Sequence, residues 1–259
     1  MSFFEKALSK VGIGAAKVDA RIDNPCVSVG DDISGVVHVM GGNIEQEINK
    51  IYLKLMTYYM KEVENSGRVK QTVEIAKIEL NETFTIRPKE TRAIPFSMMI
   101  PFETPVSLQK DSVWISTGLD VKLALDPSDK DYLNVVPHPY MGCVLDALCE
   151  DLGFRLAKVE TEYTGRLGRG LPFVQEFEFR AGGQFRNSLD ELEIVFYPDY
   201  NGLQMIMEID RSARGAKGFL LEIMDMDESV IQINIPASEF EKGRRYIADY
   251  LYDTIKRRL

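Results

Sequence analysis

The stretch Ile51-Tyr52-Leu53-Lys54-Leu55-Met56-Thr57-Tyr58-Tyr59 decides the fold class. Successive side chains of an extended chain point to opposite faces. Ile51, Leu53, Leu55, Thr57 and Tyr59 therefore form one side of a strand, and Tyr52, Lys54, Met56 and Tyr58 the other. The same period of two runs outward in both directions. Ile33, Gly35, Val37 and Val39 alternate with Ser34, Val36, His38 and Met40, and Ile94, Phe96, Met98 and Ile100 repeat the pattern, as do Val121, Leu123 and Leu125. Turn clusters separate the runs at Val29-Gly30-Asp31-Asp32, Gly41-Gly42-Asn43 and Asn65-Ser66-Gly67. Asn24-Pro25 and Arg87-Pro88 mark places where a strand must end or lie at an edge, since proline has no N–H to give a ladder. Residues 15–137 read as an antiparallel β-sandwich domain.

On either side of that domain the period changes to that of a helix. Phe3, Phe4, Ala7, Leu8 and Val11 share one helical face, Ser2 and Glu5 have the form of a capping box, and Gly12 and Gly14 end the segment, so residues 1–14 are expected to form a short amphipathic helix. Met141, Val144, Leu145, Leu148, Leu152 and Leu156 make a second stripe after Pro137-His138-Pro139, which predicts a linking helix over 138–157. Period two returns in Phe173–Phe179, Leu192–Tyr197, Leu203–Ile209, Phe219–Met224 and Val230–Ile235, giving a second β-rich domain over 158–259. Pro198-Asp199-Tyr200-Asn201-Gly202 reads as a hairpin turn, because Asn-Gly tolerates the positive φ angles such turns need. Ser238 with Glu241 predicts the start of a C-terminal amphipathic helix carrying Phe240, Ile247, Leu251 and Ile255 on one side.

The 259 residues carry 40 acidic and 31 basic groups, and the acidic excess holds in both halves, 19 against 16 up to Pro137 and 21 against 15 beyond it. Phosphate binding needs a positive field, so nucleic acid is not an expected partner. Three cysteines, Cys26, Cys143 and Cys149, are too few and too uneven for a disulfide framework. The opening residues 1–14 are too short and too polar for a secretory signal, no run approaches about 20 apolar residues, and Ser2 stands where myristoylation needs glycine, so neither a leader nor a lipid anchor is expected. The expected location is the cytoplasm.

Chemistry is sparse. The two histidines, His38 in a strand and His138 between prolines, are the only candidates for a catalytic base, and His138 with Cys143 is the one nearby pair; both are read as structural. Cys143 and Cys149 are rotated about 240° apart on a helix, so they do not make a zinc pair. Asp126, Asp129 and Asp131, and Asp225, Asp227 and Glu228, are the two acidic clusters with calcium-type ligands, but neither has EF-hand spacing and both read as solvated turns. Gly165-Arg166-Leu167-Gly168-Arg169-Gly170 leads into a strand rather than a helix, which makes it an interstrand loop rather than a phosphate cradle. Gly182-Gly183-Gln184 matches the peptide-release tripeptide without the basic surroundings that binding to ribosomal RNA demands. No catalytic residue, cofactor or metal ligand is assigned.

Several segments carry a family resemblance. His38-Val39-Met40-Gly41-Gly42 followed by Ile48-Asn49-Lys50-Ile51-Tyr52-Leu53, then Trp114-Ile115-Ser116-Thr117-Gly118-Leu119-Asp120-Val121, Asp126-Pro127-Ser128-Asp129-Lys130-Asp131-Tyr132 and Val135-Val136-Pro137-His138-Pro139, with the opening Ser2-Phe3-Phe4, resemble the bacterial sporulation-control family called Spo-zero-M. The resemblance spans nearly the whole chain and is most specific over residues 1–140. It implies an arrestin-like sandwich for the first domain, a role in entry into sporulation or related cell physiology, and no catalysis. By analogy with arrestin-like proteins, the expected function is that of a regulatory adaptor or scaffold contacting other cytoplasmic proteins, through strand edges or interdomain grooves. An alternative is a peripheral scaffold at the inner face of the membrane. Phe3, Phe4 and Leu8 would enter lipid beside the basic groups Lys242, Arg244, Arg245, Lys256, Arg257 and Arg258. A metal-dependent hydrolase is the least favoured alternative.

Overall fold

The computed structural model describes residues 15–80, 83–108, 112–121, 128–210 and 230–259. The expected helix over residues 1–14, the strand at Phe219–Met224, Leu123 and Leu125 lie outside them. The chain is mainly β and divides into two compact units, one of Met1–Tyr58 and Thr72–Val136, the other of Tyr59–Gln71 and Pro137–Leu259.

In the first unit, β1 (Lys17–Ile22), β3 (Asp32–Met40) and β7 (Thr91–Met99) form a three-stranded antiparallel sheet in the order β1-β3-β7. Pro95 lies in β7, an outer strand, where a missing N–H is tolerated. The facing layer centres on β4 (Gln46–Val63), flanked by β8 (Val113–Val121), β9 (Ser128–Val136) and β2 (Cys26–Ser28), with β5 (Gly67–Leu80) and β6 (Phe84–Ile86) also paired to β4. Val37 and Val39 of one layer pack in a single cluster with Leu53, Leu55, Ile115 and Val135 of the other. The inward set of β4 changes phase once, from Gln46 and Ile48 to Ile51, Leu53 and Leu55, because the register with β8 shifts between Ile48 and Lys50. One extra residue turns every later side chain to the opposite face.

In the second unit, β10 (Arg155–Tyr163), β11 (Phe173–Arg180), β12 (Glu191–Asp199), β13 (Gly202–Asp210) and β14 (Val230–Pro236) follow one another as antiparallel neighbours. The tip of the β4–β5 hairpin joins this unit, with Met60 in parallel register to Glu162. One face of the sheet is apolar: Phe177, Phe179, Leu192, Ile194, Met205, Met207, Ile233 and Ile235 are all buried. Besides one 3₁₀ turn at Gly183–Phe185, three helical segments accompany it. They are α1 (Pro139–Asp146), which runs on as one π-turn over Ala147–Asp151, α2 (Ala237–Phe240) and α3 (Arg244–Lys256). Ile247, Leu251 and Ile255 of α3 are fully buried, worth about 1.5–3 kcal/mol each. Arg244 also pairs with Asp151 at 2.8 Å, and Tyr140 stacks on Phe240 with ring centroids 4.5 Å apart.

Four expectations need correction. The sheets are not wholly antiparallel, since β2 runs parallel to β9 as well as β4 to β10. The linking helix stops at Asp151 rather than at 157, because Gly153 takes a φ of 76° and the chain turns into β10. Ser238 does not begin the C-terminal helix: α2 starts after Pro236, and Gly243, at φ 90°, separates it from α3. Strands β5 and β10 are among those the alternation does not mark; none of their residues is buried, so their apolar periodicity is weak.

Candidate functional site

The outer face of the second unit's sheet carries rows of carboxylates beside a small apolar cluster of Val174, Val195 and Tyr197. The period of two places Glu160 and Glu162 of β10, Glu176 and Glu178 of β11, Glu191 and Glu193 of β12, and Glu208 and Asp210 of β13 on one side. The register sets like charges opposite one another: Glu160 faces Glu176, Glu178 faces Glu193, Glu193 faces Glu208, and Glu191 faces Asp210. Such pairs are destabilising unless something intervenes.

Cations intervene at two points. At one end, Arg68 from the hairpin tip reaches Glu160 at 2.6 Å and Glu162 at 2.5 Å, while Lys158 lies 2.7 Å from Glu160. At the other, Arg180 bonds Glu178 at 3.0 Å and also Glu191. Glu178, Glu191 and Glu193 bring one oxygen each within 4.8 Å of one another, so the guanidinium occupies the place where a cation would bind. Glu176, between these points, is governed by burial, reinforced by the charges of Glu193 and Glu162, and its carboxyl is pushed up to about 8. Burial and then Glu160 push Glu162 up as well. Burial acts on Glu160 in the same direction, but hydrogen bonds from Arg68, Glu162 and Lys158 outweigh it and hold Glu160 low. Burial thus favours the protonated form of Glu176 and Glu162, while Glu160 is held in its charged form.

The ladder ends beside β14, whose sequence Val230-Ile-Gln-Ile-Asn-Ile-Pro236 holds no charge. Among the described residues β14 pairs only with β13 and closes the sheet. Ile231, Ile233 and Ile235 turn inward, while Gln232 and Asn234 are exposed. Next to this edge a groove of about 230 Å³ is lined by Asn234, Ile235, Pro236, Glu239, Tyr246, Ile247 and Tyr250. Tyr246 and Tyr250, one helical turn apart on α3, are each 38% exposed. Glu239 is neutralised by Lys242, whose Nζ lies 2.8 Å from it and 4.5 Å from the Tyr246 ring centroid.

The residues selected from sequence sit elsewhere or are already engaged. Phe3, Phe4 and Leu8 lie outside the described residues. Lys242 and Arg244 are held by Glu239 and Asp151. Arg245 and Lys256 share a face of α3, whereas Arg257 caps its end and Arg258 lies past it. The apolar stripe of α3 is turned into the unit. No described helix is long and apolar enough to cross a membrane. His138 caps α1, its Nδ1 accepting the Tyr140 N–H at 3.3 Å. Asp129 accepts the Ala20 N–H at 3.2 Å, and burial with the neighbouring Asp129 charge pushes Asp131 up to about 6. Asp126, Asp225, Asp227 and Glu228 lie outside the described residues. In the glycine-rich loop, Thr164 Oγ1 accepts the N–H groups of Arg166 and Leu167 at 3.4 and 3.2 Å. The thiols of Cys143 and Cys149 are pushed up by burial.

The carboxylate ladder escaped the sequence reading although its signal is present. An acid-x-acid triplet recurs in four consecutive strands, at 160–162, 176–178, 191–193 and 208–210.

Known proteins place this architecture in context. A family model described as SpoOM protein matches residues 4–213. The sporulation-control protein spo0M of Bacillus subtilis (strain 168) is 40% identical over 242 residues, 93% of each chain. The crystal structure of Spo0M, sporulation control protein, from Bacillus subtilis superposes with a TM-score of 0.87 at 37% identity, over 95% of this chain and 100% of that one. The chain therefore belongs to the Spo0M family of sporulation-control proteins.

Proposed function

We propose that the protein is a non-catalytic regulatory adaptor, acting in the cytoplasm through protein–protein contacts in the control of sporulation or related cell physiology, with an arrestin-like first unit. Family membership supports the process. The two-layer sandwich of the first unit and the sequence resemblance support the arrestin-like assignment. The observation that carries the adaptor reading is the set of sheet edges. Strands β1 and β7 border the small sheet of the first unit, and β14 borders the sheet of the second. An edge strand offers a row of backbone donors and acceptors to which an extended segment of another protein adds as a further strand.

The test is to tag the protein at low expression, cross-link growing and stationary cells of its host, and identify what co-purifies by mass spectrometry. A reproducible partner set that changes with growth phase is the expected result. Recovery of nothing above background in both phases, with unaltered sporulation frequency in a deletion strain, overturns the proposal.

A further inference from the structure

We propose that Asp129 and Asp131 of β9, with Thr117 of β8, bind a hard divalent cation, Mg²⁺ or Ca²⁺, on the core side of the first unit's large sheet, where β9 faces the edge of β1. The site goes beyond the adaptor reading and does not depend on it.

The acidic cluster expected in a solvated turn is in part a strand. Asp129 and Asp131 lie in β9, on the side that continues as Leu133 and Val135, both buried in the first unit's apolar cluster. The register sets Asp129 opposite Thr117 and Asp131 opposite Ile115, and both of these partners are fully buried. Residues directly opposite one another share a face, with Cβ atoms about 4.5–5.5 Å apart. Two carboxylates thus extend a row of core side chains, a setting in which unpaired negative charge is costly.

The described residues do not balance that charge. Thr117 has no exposed surface, yet its Oγ1 has no hydrogen-bond partner, and Asp131 Oδ2 is likewise buried without one. Buried polar atoms are nearly always bonded, so each orphan marks a place where a further group belongs. The influences on Asp131 are burial and the like charges of Asp129 and Asp19, with no described cation among them. Lys130, between the two aspartates in sequence, is turned to the other face, its Nζ 3.9 Å from the Trp114 ring centroid and 4.5 Å from that of Tyr132. Asp19 is engaged by Arg21 at 3.3 Å.

The donors specify the ion. Asp129 Oδ2 accepts the Ala20 N–H at 3.2 Å, which shows that this N–H is directed from β1 towards β9. In an antiparallel strand the N–H and C=O of one residue point the same way, so the Ala20 carbonyl is directed there too. Two carboxylates, a hydroxyl and a carbonyl form an all-oxygen set, which suits Mg²⁺ and Ca²⁺ rather than metals that favour nitrogen or sulfur. A divalent ion cancels both carboxylate charges, whereas a monovalent one leaves one uncompensated. With only two charged ligands the affinity belongs at the weak end, on the order of 10⁻⁴–10⁻³ M.

The experiment is thermal melting of the full chain at pH 7.5, followed by tryptophan emission, since the only tryptophan, Trp114, lies on β8 with Thr117. Chelator-treated protein is compared in MgCl₂, in CaCl₂ and in KCl of equal ionic strength. A divalent ion at about ten times its dissociation constant is expected to raise the midpoint by about 3–6 °C over KCl, the larger rise naming the ion. Isothermal titration is expected to show binding at least tenfold weaker in Asp131→Asn. Thr117→Val keeps the side chain's shape and removes the orphan hydroxyl, so it should melt at or above the parent in KCl and bind the ion more weakly. It also carries the test alone if Asp131→Asn fails to fold. Glu191→Gln, in the acidic cluster filled by Arg180, should bind as the parent does. Equal midpoints in the three salts overturn the site, as does a rise that persists in Asp131→Asn or in Thr117→Val. A rise abolished by Glu191→Gln overturns it as well, because the ion would then sit in the second unit.

Discussion

The two units solve the same problem in different ways. The first covers each sheet with the other, so Val37, Leu53 and Ile115 meet in a cluster to which no described helix contributes. The second lays α1, α2 and α3 on one face of a single sheet and gives the other face to carboxylates. The electrostatics diverge accordingly. Glu79 of the first unit lies at the surface between Lys77 and Lys50, whose hydrogen bonds hold its carboxyl down at about 2. Glu176 of the second has the same side chain, but burial pushes it up to about 8. A face that closes the main core cannot tolerate eight acids, whereas a face with only the small cluster of Val174, Val195 and Tyr197 to cover can hold like charges at a cost to stability. Sites that work against stability are where binding functions concentrate.

The sharpest challenge to this contrast is Leu251→Ala, which hollows the helical layer of the second unit. A loss of about 2–5 kcal/mol is expected. All described helices belong to the second unit and the only tryptophan, Trp114, to the first, so helical circular dichroism and tryptophan emission report on them separately. The urea midpoint seen by circular dichroism should fall further than the one seen by emission. Equal falls would mean that the units unfold as one body.

Glu176→Gln comes next. Below about pH 4.5 the carboxyl is protonated in folded and unfolded chains alike. Above that the unfolded chain releases its proton first, so the native stability falls as pH rises from 4.5 to about 8 and then levels off. Glutamine removes this dependence. The variant should match the parent at pH 4.5 and exceed it by on the order of 2 kcal/mol at pH 8.5, as read from urea midpoints. Parity at both pH values would show that Glu176 is not held protonated by the fold.

How much of this was legible in sequence follows from where alternation survives. Runs such as Ile51–Tyr59 and Leu203–Ile209 have one buried side, and apolar residues at every second position announce them. The hairpin at Tyr200-Asn201 was legible from its turn chemistry, Asp199 and Gly202 being paired across it. Strand β10, from Arg155 to Tyr163, was not, because its residues are exposed or half-buried and neither face demands apolar side chains. The ladder stayed hidden for a related reason. Its corresponding members are 15 to 17 residues apart from one strand to the next, and only strand order and register reveal that they share a face. The β14 edge was equally out of reach, since whether a strand lies at a border is a property of topology.

Two smaller effects complete the contrast. Arg68→Ala removes the cation that holds Glu160 and Glu162, and because the guanidinium is 39% exposed the expected loss is about 1 kcal/mol or less. Its signature is faster hydrogen exchange in the hairpin tip, residues 60–70; unchanged exchange there would remove Arg68 as the clasp. Glu79→Gln breaks two ion pairs at the surface and should leave the melting temperature unchanged at physiological salt. A measurable drop would mean that surface pairing counts for more in the first unit than in the second.

The hairpin tip has a consequence for synthesis. Arg68 precedes its acceptor Glu162 by 94 residues. At a translation rate of about 5–20 residues per second, the tip waits about 5–20 s on the ribosome before its partner strand has been made. During that interval Tyr59 lacks Tyr163 and Phe173, the two rings it later packs against. No single cut separates the units cleanly, because each is made of two stretches of chain, and a nascent first unit must present a fragment of the second before the rest of it exists.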